Sequence, residues 1–246
     1  MCGRFTITVD RIESILEKFK AEQAPNFQGY QPRYNAAPGQ FVPAIVAKEG
    51  RRYLTNVFWG FVPPWGEHRG SLTHQANIRD DTIARNKFFR DRLLHTRCIF
   101  IADGFYEWKL PEGFENLERG EHLPKGMHKT PYRIVLKNSS LFALAGLWRT
   151  FSLNQGPVIS GGIITTTPNT LMTSVHNRMP VILSDADLDI WLNPDIESYD
   201  RVIQLLDPYP GEEMNLYPVS VRVNNSRNDS PLCLEPAQEP PPPQRP

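Results

Sequence analysis

Short strand-like segments separated by turn residues are the sequence feature that most constrains the fold. Strand character recurs along the chain, at 41–47, 53–61, 97–103, 104–109, 132–137, 141–148, 158–166 and 216–223. Helical spacing is confined to fewer segments, at 12–19, 81–95, 185–192 and 198–206. Because helices and strands do not alternate one for one, the pattern predicts an α+β fold. We expect one domain with a curled, mostly antiparallel or mixed sheet, open and barrel-like, with flanking helices.

Charge and cysteine content exclude several classes of protein. The formal net charge of the 246 residues is zero, which argues against bulk electrostatic coating of nucleic acid but not against a local basic groove. The cysteines, Cys2, Cys98 and Cys233, form no CxxC pair, so the sequence indicates neither a zinc ribbon nor a redox dithiol. The N-terminus lacks a signal-peptide pattern, and no apolar run reaches membrane length. We therefore expect a cytoplasmic protein, or a nuclear one if the source is eukaryotic.

We place the predicted domain at residues 2–236, and two segments of the chain lack the pattern of regular secondary structure. Residues 237–246 belong to a proline-rich stretch that ends the chain and predicts a disordered, polyproline-like tail. Residues 111–130 are polar, are interrupted by glycine and proline, and predict a long loop with no assignable role.

Cys2 directly follows the initiator methionine, in the opening MCGRF. Methionine is usually removed before a small residue, which would leave Cys2 with a free α-amine beside its thiol. An α-amine has an ordinary pKa of about 7.7–8.0, so part of it is neutral near pH 7. The ammonium form would help to ionise the thiol, and the pair would form an N-terminal nucleophile. From position alone, a residue that is merely small is the more common explanation.

Three further candidates have both a functional and a purely structural explanation. Asn77 and Arg79 lie on the same side of an extended segment, where the guanidinium can bind a phosphate, but a turn asparagine and a surface arginine are more common. Glu107 lies between two aromatic residues, which would raise its pKa and suit a general acid or base, unless it faces solvent. His176 suits a general acid near neutral pH, although such a histidine is more often structural.

A locally basic segment and two tryptophans are the remaining candidates for nucleic-acid contact. Residues 79–97 contain six arginines or lysines, among them Lys87, against three aspartates, which fits either a DNA-facing patch or a solvated helix face. Trp59 and Trp65 can stack on bases, although most tryptophans are simply packed in the core.

Seven motifs in register give these weak signals a common explanation. They are MCGRF (1–5), RYNAAPGQ (33–40), FWGFVPPW (58–65), ANIR (76–79), CIFIADGFYEWK (98–109), HNRMPVIL (176–183) and PVSVRVNNSRNDSPLCLEP (218–236). Together they closely resemble the SOS-response-associated peptidase (SRAP) family of abasic-site crosslinking proteins. The resemblance runs from residue 2 to about residue 236, apart from the loop at 110–130.

The resemblance implies a function and a set of site residues. Members of this family bind single-stranded DNA that carries an abasic site, and the N-terminal cysteine closes a thiazolidine ring on the sugar aldehyde. Cys2, Asn77, Glu107 and His176 match the family's catalytic positions, with His176 assisting opening of the deoxyribose. The expected DNA contacts are Arg4, Asn35, Pro38, Trp65, Arg79 and Lys87. Asp80, Asp81 and Asn177 depart from the expected pattern and leave the orientation of His176 open.

The resemblance also implies a companion abasic-site lyase activity that requires no metal. We expect a monomer without a cofactor, although the sequence itself does not determine the oligomeric state. Two other functions remain open. An N-terminal cysteine with a histidine and an acidic group can also form a thiol hydrolase that at least processes its own leader. A protein that only binds single-stranded DNA would need stacking and phosphate contacts but no nucleophile.

Overall fold

The fold was analysed in a computed structural model of the 246-residue chain. The structure describes residues 2–68, 71–72, 74–114, 117, 121–138, 140–153 and 156–237. The predicted tail at 237–246 therefore lies outside the described residues, except for residue 237. No helix in the described part of the chain is long and apolar enough to cross a membrane.

The described secondary structure contains sixteen strands and five α-helices, besides six short 3-10 helices. The strands are β1 (Arg4–Ile7), β2 (Glu22–Gln23), β3 (Arg33–Ala36), β4 (Phe41–Lys48), β5 (Arg51–Trp59), β6 (Glu67–His68), β7 (Ser71–Leu72), β8 (Asn77–Arg79), β9 (Arg97–Ala102), β10 (Gly104–Lys109), β11 (Thr130–Leu136), β12 (Phe142–Leu153), β13 (Gly156–Thr166), β14 (Met179–Pro180), β15 (Ile182–Leu183) and β16 (Met214–Pro218). The helices are α1 (Ile12–Phe19), α2 (Asp80–Arg85), α3 (Lys87–His95), α4 (Asp185–Trp191) and α5 (Tyr199–Ile203).

A closed barrel of five strands forms the centre of the molecule. Its strands follow the order β13, β12, β9, β4 and β5, and parallel pairing of β13 with β5 closes the ring. All other neighbours in the ring are antiparallel, so the sheet is mixed. The predicted α+β class and curled sheet are confirmed, and the barrel is closed rather than open.

Glycines on two adjacent barrel strands make room for a large side chain inside the barrel. A Cβ atom on Gly146 would lie 2.7 Å from the ring of Phe100, and one on Gly161 would lie 3.0 Å from it. Phe100 is itself fully buried, so its ring takes the space that these two positions leave free. Packing at this density tolerates no added methyl group without a shift of the neighbouring atoms.

A second, five-stranded antiparallel sheet packs beside the barrel and carries the N-terminus. Its strand order is β16, β11, β10, β1 and β3. Phe5 on β1 joins the two sheets, because its ring centroid lies 4.8 Å from that of Trp59 and 6.5 Å from that of Phe100. These contacts attach β1 to the barrel, and with it the residues that precede Phe5.

Two predicted elements differ from the observed ones. The helix expected over 81–95 is broken at Asn86, whose Oδ1 accepts a hydrogen bond from the backbone N–H of Phe88 and caps α3. The strand expected over 216–223 ends at Pro218, and a short 3-10 helix follows at Val221–Asn224. In both places a capping side chain starts a helical turn that the apolar pattern does not show.

Candidate active site

Cys2 lies at the start of β1, where this strand runs beside β10. Arg4 pairs with Tyr106 in the antiparallel register, which places Gly3 and Cys2 beside Glu107 and Trp108. The Cys2 side chain is buried, and its Sγ donates a weak hydrogen bond to the carbonyl oxygen of Arg4 at 3.8 Å. Burial raises the pKa of the thiol well above its usual range, and the nearby Glu107 carboxylate raises it further. The thiol is therefore protonated at rest.

Asn77 fixes the main chain at Cys2. Its Nδ2 donates to the carbonyl oxygen of Cys2 at 2.9 Å. The segment that carries Asn77 is itself held by the barrel, since the indole N–H of Trp59 donates to the Ala76 carbonyl at 3.0 Å. The Asn77 Oδ1 is buried and has no hydrogen-bond partner among the described residues. A buried amide oxygen of this kind is an acceptor ready for a donor on a bound molecule.

Glu107 is a buried carboxyl group beside the thiol. Glu107 is only 3 % exposed. The sequence had allowed the face of β10 that carries it to be exposed to solvent. Burial raises its pKa above the ordinary value. The solvent-facing explanation for Glu107 is therefore wrong, and its environment suits proton transfer.

His176 is held in a defined tautomer. Its Nδ1 accepts a hydrogen bond from the backbone N–H of Arg178 at 3.0 Å, so the neutral ring carries its proton on Nε2. Burial lowers the pKa of His176 to about 4. The ring is consequently neutral near pH 7, and the expectation of a protonated acid at rest does not fit this environment.

An ion pair between Arg178 and Asp80 supports the His176 segment. The Arg178 Nη2 donates to Asp80 Oδ1 at 2.7 Å and also to the carbonyl oxygen of Thr165. Asp80 additionally accepts from the Thr166 hydroxyl at 2.8 Å. The Asp80 position, which departs from the expected family pattern, thus has a clear partner that orients the chain after His176.

An open cleft brings Glu107 and His176 to solvent. It encloses about 540 Å³ and is lined by Gly3, Arg4, Glu107, Trp108, His128, Lys129, His176 and Asn224. The indole of Trp108 forms a fixed wall, because its N–H donates to Asn224 Oδ1 at 2.7 Å and the Arg4 guanidinium lies 5.7 Å from its ring centroid. A second cleft of about 370 Å³ adjoins the first and shares Trp108, Lys129 and His176 with it.

Arg4 and Asn35, both expected to contact DNA, form one hydrogen-bonded unit. The Arg4 Nη1 donates to Asn35 Oδ1 at 3.0 Å and to the Val223 carbonyl at 2.7 Å. Asn35 is fully buried, and its Nδ2 donates to the carbonyl oxygens of Val223, Asn225 and Asn228. The expected direct contact of Asn35 with DNA is therefore wrong in this conformation, and the residue positions Arg4 instead.

The other expected DNA contacts lie on the surface. Pro38 and Lys87 are exposed, and Trp65 is 51 % exposed with its ring centroid 5.1 Å from that of Phe88. Trp59, by contrast, is fully buried, so base stacking by this residue is excluded.

Arg79 is exposed but already paired. It forms two hydrogen bonds with Asp81, at 2.9 Å and 2.6 Å. A surface concavity of about 630 Å³ is lined by Arg79, Asp81, Thr82, Arg85, Asn86 and Lys87. The basic segment therefore does present a solvated, mainly cationic surface, and phosphate binding by Arg79 would have to compete with Asp81.

The sequence did not identify His128, Lys129, Asn224 or Arg178 as parts of the site. His128 and Lys129 end the long loop at 110–130, whose role was not assignable, and the pairing of β10 with β11 brings them to the cleft. Within the described ranges, no group of three or more His, Cys, Asp or Glu residues is arranged to hold a metal ion.

Comparison with known proteins was made for sequence and for structure. The model of a family described as SOS response associated peptidase (SRAP) matches residues 1–226. Abasic site processing protein YoqW of Bacillus subtilis is 39 % identical over 236 residues, covering 96 % of this chain and 99 % of that protein. Abasic site processing protein HMCES of Rattus norvegicus is 28 % identical over 271 residues, covering 96 % of this chain and 76 % of the other. A crystal structure of a Bacteroides thetaiotaomicron protein superposes with a TM-score of 0.78 at 23 % identity, over 96 % of this chain and 100 % of the other, and shares the fold.

Proposed function

The chain belongs to the SOS response associated peptidase (SRAP) family, and from this premise we propose that it processes abasic sites in DNA by forming a covalent crosslink through Cys2. The relatives described as abasic site processing proteins support this substrate. We further propose that the target is single-stranded DNA, that the protein acts as a monomer, and that it works where DNA is found, at the nucleoid or in a nucleus.

The convergence of four residues carries the proposal. Asn77 holds the Cys2 carbonyl, Glu107 lies close enough to influence the Cys2 thiol, and Glu107 and His176 line the same cleft. These residues come from four separate segments of the chain. A structural role for each one alone would not require Glu107 and His176 to line one cleft, next to the Cys2 backbone that Asn77 holds.

The proposed reaction begins after removal of Met1 has made Cys2 the first residue. The α-amine attacks C1′ of the ring-opened sugar, forming a carbon–nitrogen bond, and the resulting carbinolamine loses one water to give an imine. The thiol sulfur then adds to the imine carbon while its proton passes to nitrogen. The product is a five-membered thiazolidine, and the net change is the loss of one water molecule without any oxidation or reduction.

Proton transfers are assigned to Glu107 and His176 from their environments. The raised pKa of Glu107 favours its protonated form, which can give a proton to the departing hydroxyl group, and the resulting carboxylate can then receive the thiol proton. His176 is neutral and can donate a hydrogen bond from Nε2 to the ring oxygen as the sugar opens. The buried thiol needs such an acceptor, because its own raised pKa disfavours spontaneous ionisation.

DNA binding is assigned to the basic and exposed residues around the cleft. Arg4, Arg79 and Lys87 would contact phosphates, while exposed Pro38 and Trp65 would contact the bases or an adjacent duplex. We propose two companion activities as well. The imine can undergo elimination at the 3′ phosphate, which is a lyase reaction, and the Cys2 thiol can release its own leader as an autopeptidase.

The decisive experiment incubates the purified protein with single-stranded DNA that carries one abasic site. We expect a heat-stable product that withstands SDS, and mass spectrometry of the free protein should show Cys2 as the first residue. Cys2→Ala should abolish this product, yet borohydride should still trap its imine because the amine remains. Cys233→Ser is the matched control, since it changes another buried cysteine outside the cleft.

Other results would favour the alternative functions. A thiol hydrolase would cleave a peptide substrate and leave the abasic DNA unshifted. A protein that only binds would show the same affinity in wild type and in Cys2→Ala, and no covalent product with either. A retained Met1, or an acetylated N-terminus, would refute the proposed chemistry outright.

A further inference from the structure

A β-bulge on β3 lies beside Arg4. The pairing of β1 with β3 shifts register between Phe5 and Ile7, and over this interval one residue of β1 lies opposite two residues of β3, Tyr34 and Asn35. A bulge takes backbone groups out of the ladder and redirects the side chains that it carries. Here the redirected side chain is that of Asn35, whose Oδ1 accepts a hydrogen bond from Arg4 Nη1 at 3.0 Å.

Asp229 supplies the acceptors for the backbone of this bulge. Its Oδ1 accepts from the N–H groups of Tyr34 and Asn35, at 2.6 Å and 2.8 Å. Its Oδ2 accepts from the Nε of Arg33 at 2.5 Å. The Asp229 side chain is only 27 % exposed. Hydrogen bonds to an ionised carboxylate are about twice as strong as neutral ones, so this one side chain anchors the C-terminal part of the chain to β3.

The segment that Asp229 anchors, residues 219–236, forms a C-terminal strap along the cleft. The Val223 carbonyl accepts from both Asn35 Nδ2 and Arg4 Nη1, and the Asn224 carbonyl accepts from Arg4 Nη2 at 3.4 Å. The Asn224 side chain also accepts from the indole N–H of Trp108. Two residues that line the cleft, Arg4 and Trp108, therefore take their orientation from the strap.

The strap directs the Arg4 guanidinium without neutralising it. The acceptors named above are the amide oxygen of Asn35 and two main-chain carbonyl oxygens, and all three are uncharged. Arg79 differs, because its guanidinium is paired with the carboxylate of Asp81. A guanidinium that is held in a fixed direction and keeps its charge is well suited to bind a phosphate.

We propose that Asp229 is a positioning residue for DNA binding, which acts by locking the bulge and the strap so that Arg4 points at a backbone phosphate. The Asp229 carboxylate is engaged by three N–H donors, so its effect on DNA passes through Arg4. The inference rests on the proposed function, in which Arg4 contacts a phosphate of the bound strand.

A double-mutant cycle of Arg4→Ala and Asp229→Ala tests this role. Binding is measured over a salt series with single-stranded DNA that contains a tetrahydrofuran analogue of the abasic sugar, which cannot react. Arg4→Ala should weaken binding about two- to fivefold and make the slope of log K against log salt shallower by about 0.7. Asp229→Ala should change both quantities in the same direction, and it should have no further effect in the Arg4→Ala background.

Two comparison variants separate positioning from a general loss of stability. Asp229→Asn should restore most of the binding, because its amide oxygen can still accept from the two backbone N–H groups of the bulge. Asp189→Ala is the matched control, since this aspartate also pairs with an arginine, Arg52, and is not among the described residues that line either cleft. It should bind DNA as the wild type does.

A measurement without DNA reports on the strap directly. The NMR signal of the Trp108 indole N–H, assigned by Trp108→Phe, depends on the hydrogen bond to Asn224. We expect this signal to shift in Asp229→Ala and to keep its position in Asp189→Ala. If Asp229→Ala does not fold, Asp229→Ser takes its place in both measurements.

The outcomes distinguish this inference from the proposed function. The positioning role is refuted if the salt slope or the Trp108 signal of Asp229→Ala matches that of Asp189→Ala, although crosslinking by the wild type would stand. It is also refuted if Asp229→Ala weakens binding equally with and without Arg4. If Arg4→Ala binds DNA as the wild type does, the phosphate contact of the proposed function is wrong, and the inference fails with it.

Discussion

Replacement of Asp80 by alanine should destabilise the protein far more than the same replacement at Asp81. The two aspartates are adjacent in the first turn of α2, and each pairs with one arginine. Their surroundings differ. The Arg178 side chain that pairs with Asp80 is 8 % exposed, whereas the Arg79 side chain that pairs with Asp81 is 50 % exposed. The comparison therefore holds helix position constant and varies the burial of the ion pair.

The expected magnitudes follow from this burial. Removal of Asp80 leaves the buried Arg178 guanidinium without its anion, and breaking a buried pair costs about 3–5 kcal/mol. The Asp80 side chain is 24 % exposed, so we expect the lower end of that range, about 3 kcal/mol. An exposed pair such as Arg79–Asp81 contributes at most about 1 kcal/mol. For a chain of this size, these losses correspond to a melting temperature lower by about 6–12 °C for Asp80→Ala and by no more than about 4 °C for Asp81→Ala.

Thermal unfolding followed by circular dichroism measures both variants against wild type. Asp80→Asn should fall between them, because the amide oxygen still accepts hydrogen bonds but carries no charge. At a temperature where all variants are folded, Asp80→Ala should also crosslink abasic DNA more slowly, since Arg178 no longer fixes His176 firmly. Equal melting temperatures for Asp80→Ala and Asp81→Ala would show that burial of the Arg178 pair does not govern its contribution.

Three further results are expected. Asn77→Ala removes one hydrogen bond to the Cys2 carbonyl, so single-turnover crosslinking should slow about tenfold with DNA affinity unchanged; a loss of affinity instead would contradict the positioning role. His176→Gln should lose less stability than wild type as the pH falls from 6.5 to about 4, because unfolded His176 binds a proton in that range and the folded residue does not; parallel urea-denaturation profiles would refute this. Arg79→Ala should reduce the salt slope of DNA binding by about 0.7, whereas Arg51→Ala, at the exposed start of β5, should leave it unchanged; equal slopes for both would exclude phosphate binding by Arg79.

Local patterns predicted most elements of the fold but not the closure of the barrel. The alternation and β-branched content of β4, β5 and β9 are properties of short segments, so they can be recognised in the sequence. Closure depends on parallel pairing between Phe58–Trp59 and Ser160–Gly161, which lie about a hundred residues apart. No local signal marks such a partner, and the only trace in the sequence is glycine at a position where a side chain would not fit.

The sequence predicted the catalytic residues of the candidate site better than the residues that surround them. The motif resemblance supplied Cys2, Asn77, Glu107 and His176, which the fold brings together. It also assigned Asn35 to DNA, because an asparagine in a motif gives no sign of whether it is buried. The sequence did not identify Lys129, because a lysine in a polar loop is common. Only the pairing of β10 with β11 brings this residue to the cleft.

The protonation state of His176 shows why residue type alone does not decide a catalytic role. An isolated histidine near neutral pH suggests an acid, and this was the expectation from sequence. Burial makes the ring neutral, and the Arg178 N–H fixes its remaining proton on Nε2, so the resting imidazole is a hydrogen-bond donor. Desolvation favours the uncharged form of each group, so it lowers the pKa of His176 and raises the pKa of Glu107. One buried environment thus favours the neutral imidazole and the protonated carboxyl group, which makes Glu107 the more suitable donor of the proton needed for loss of water.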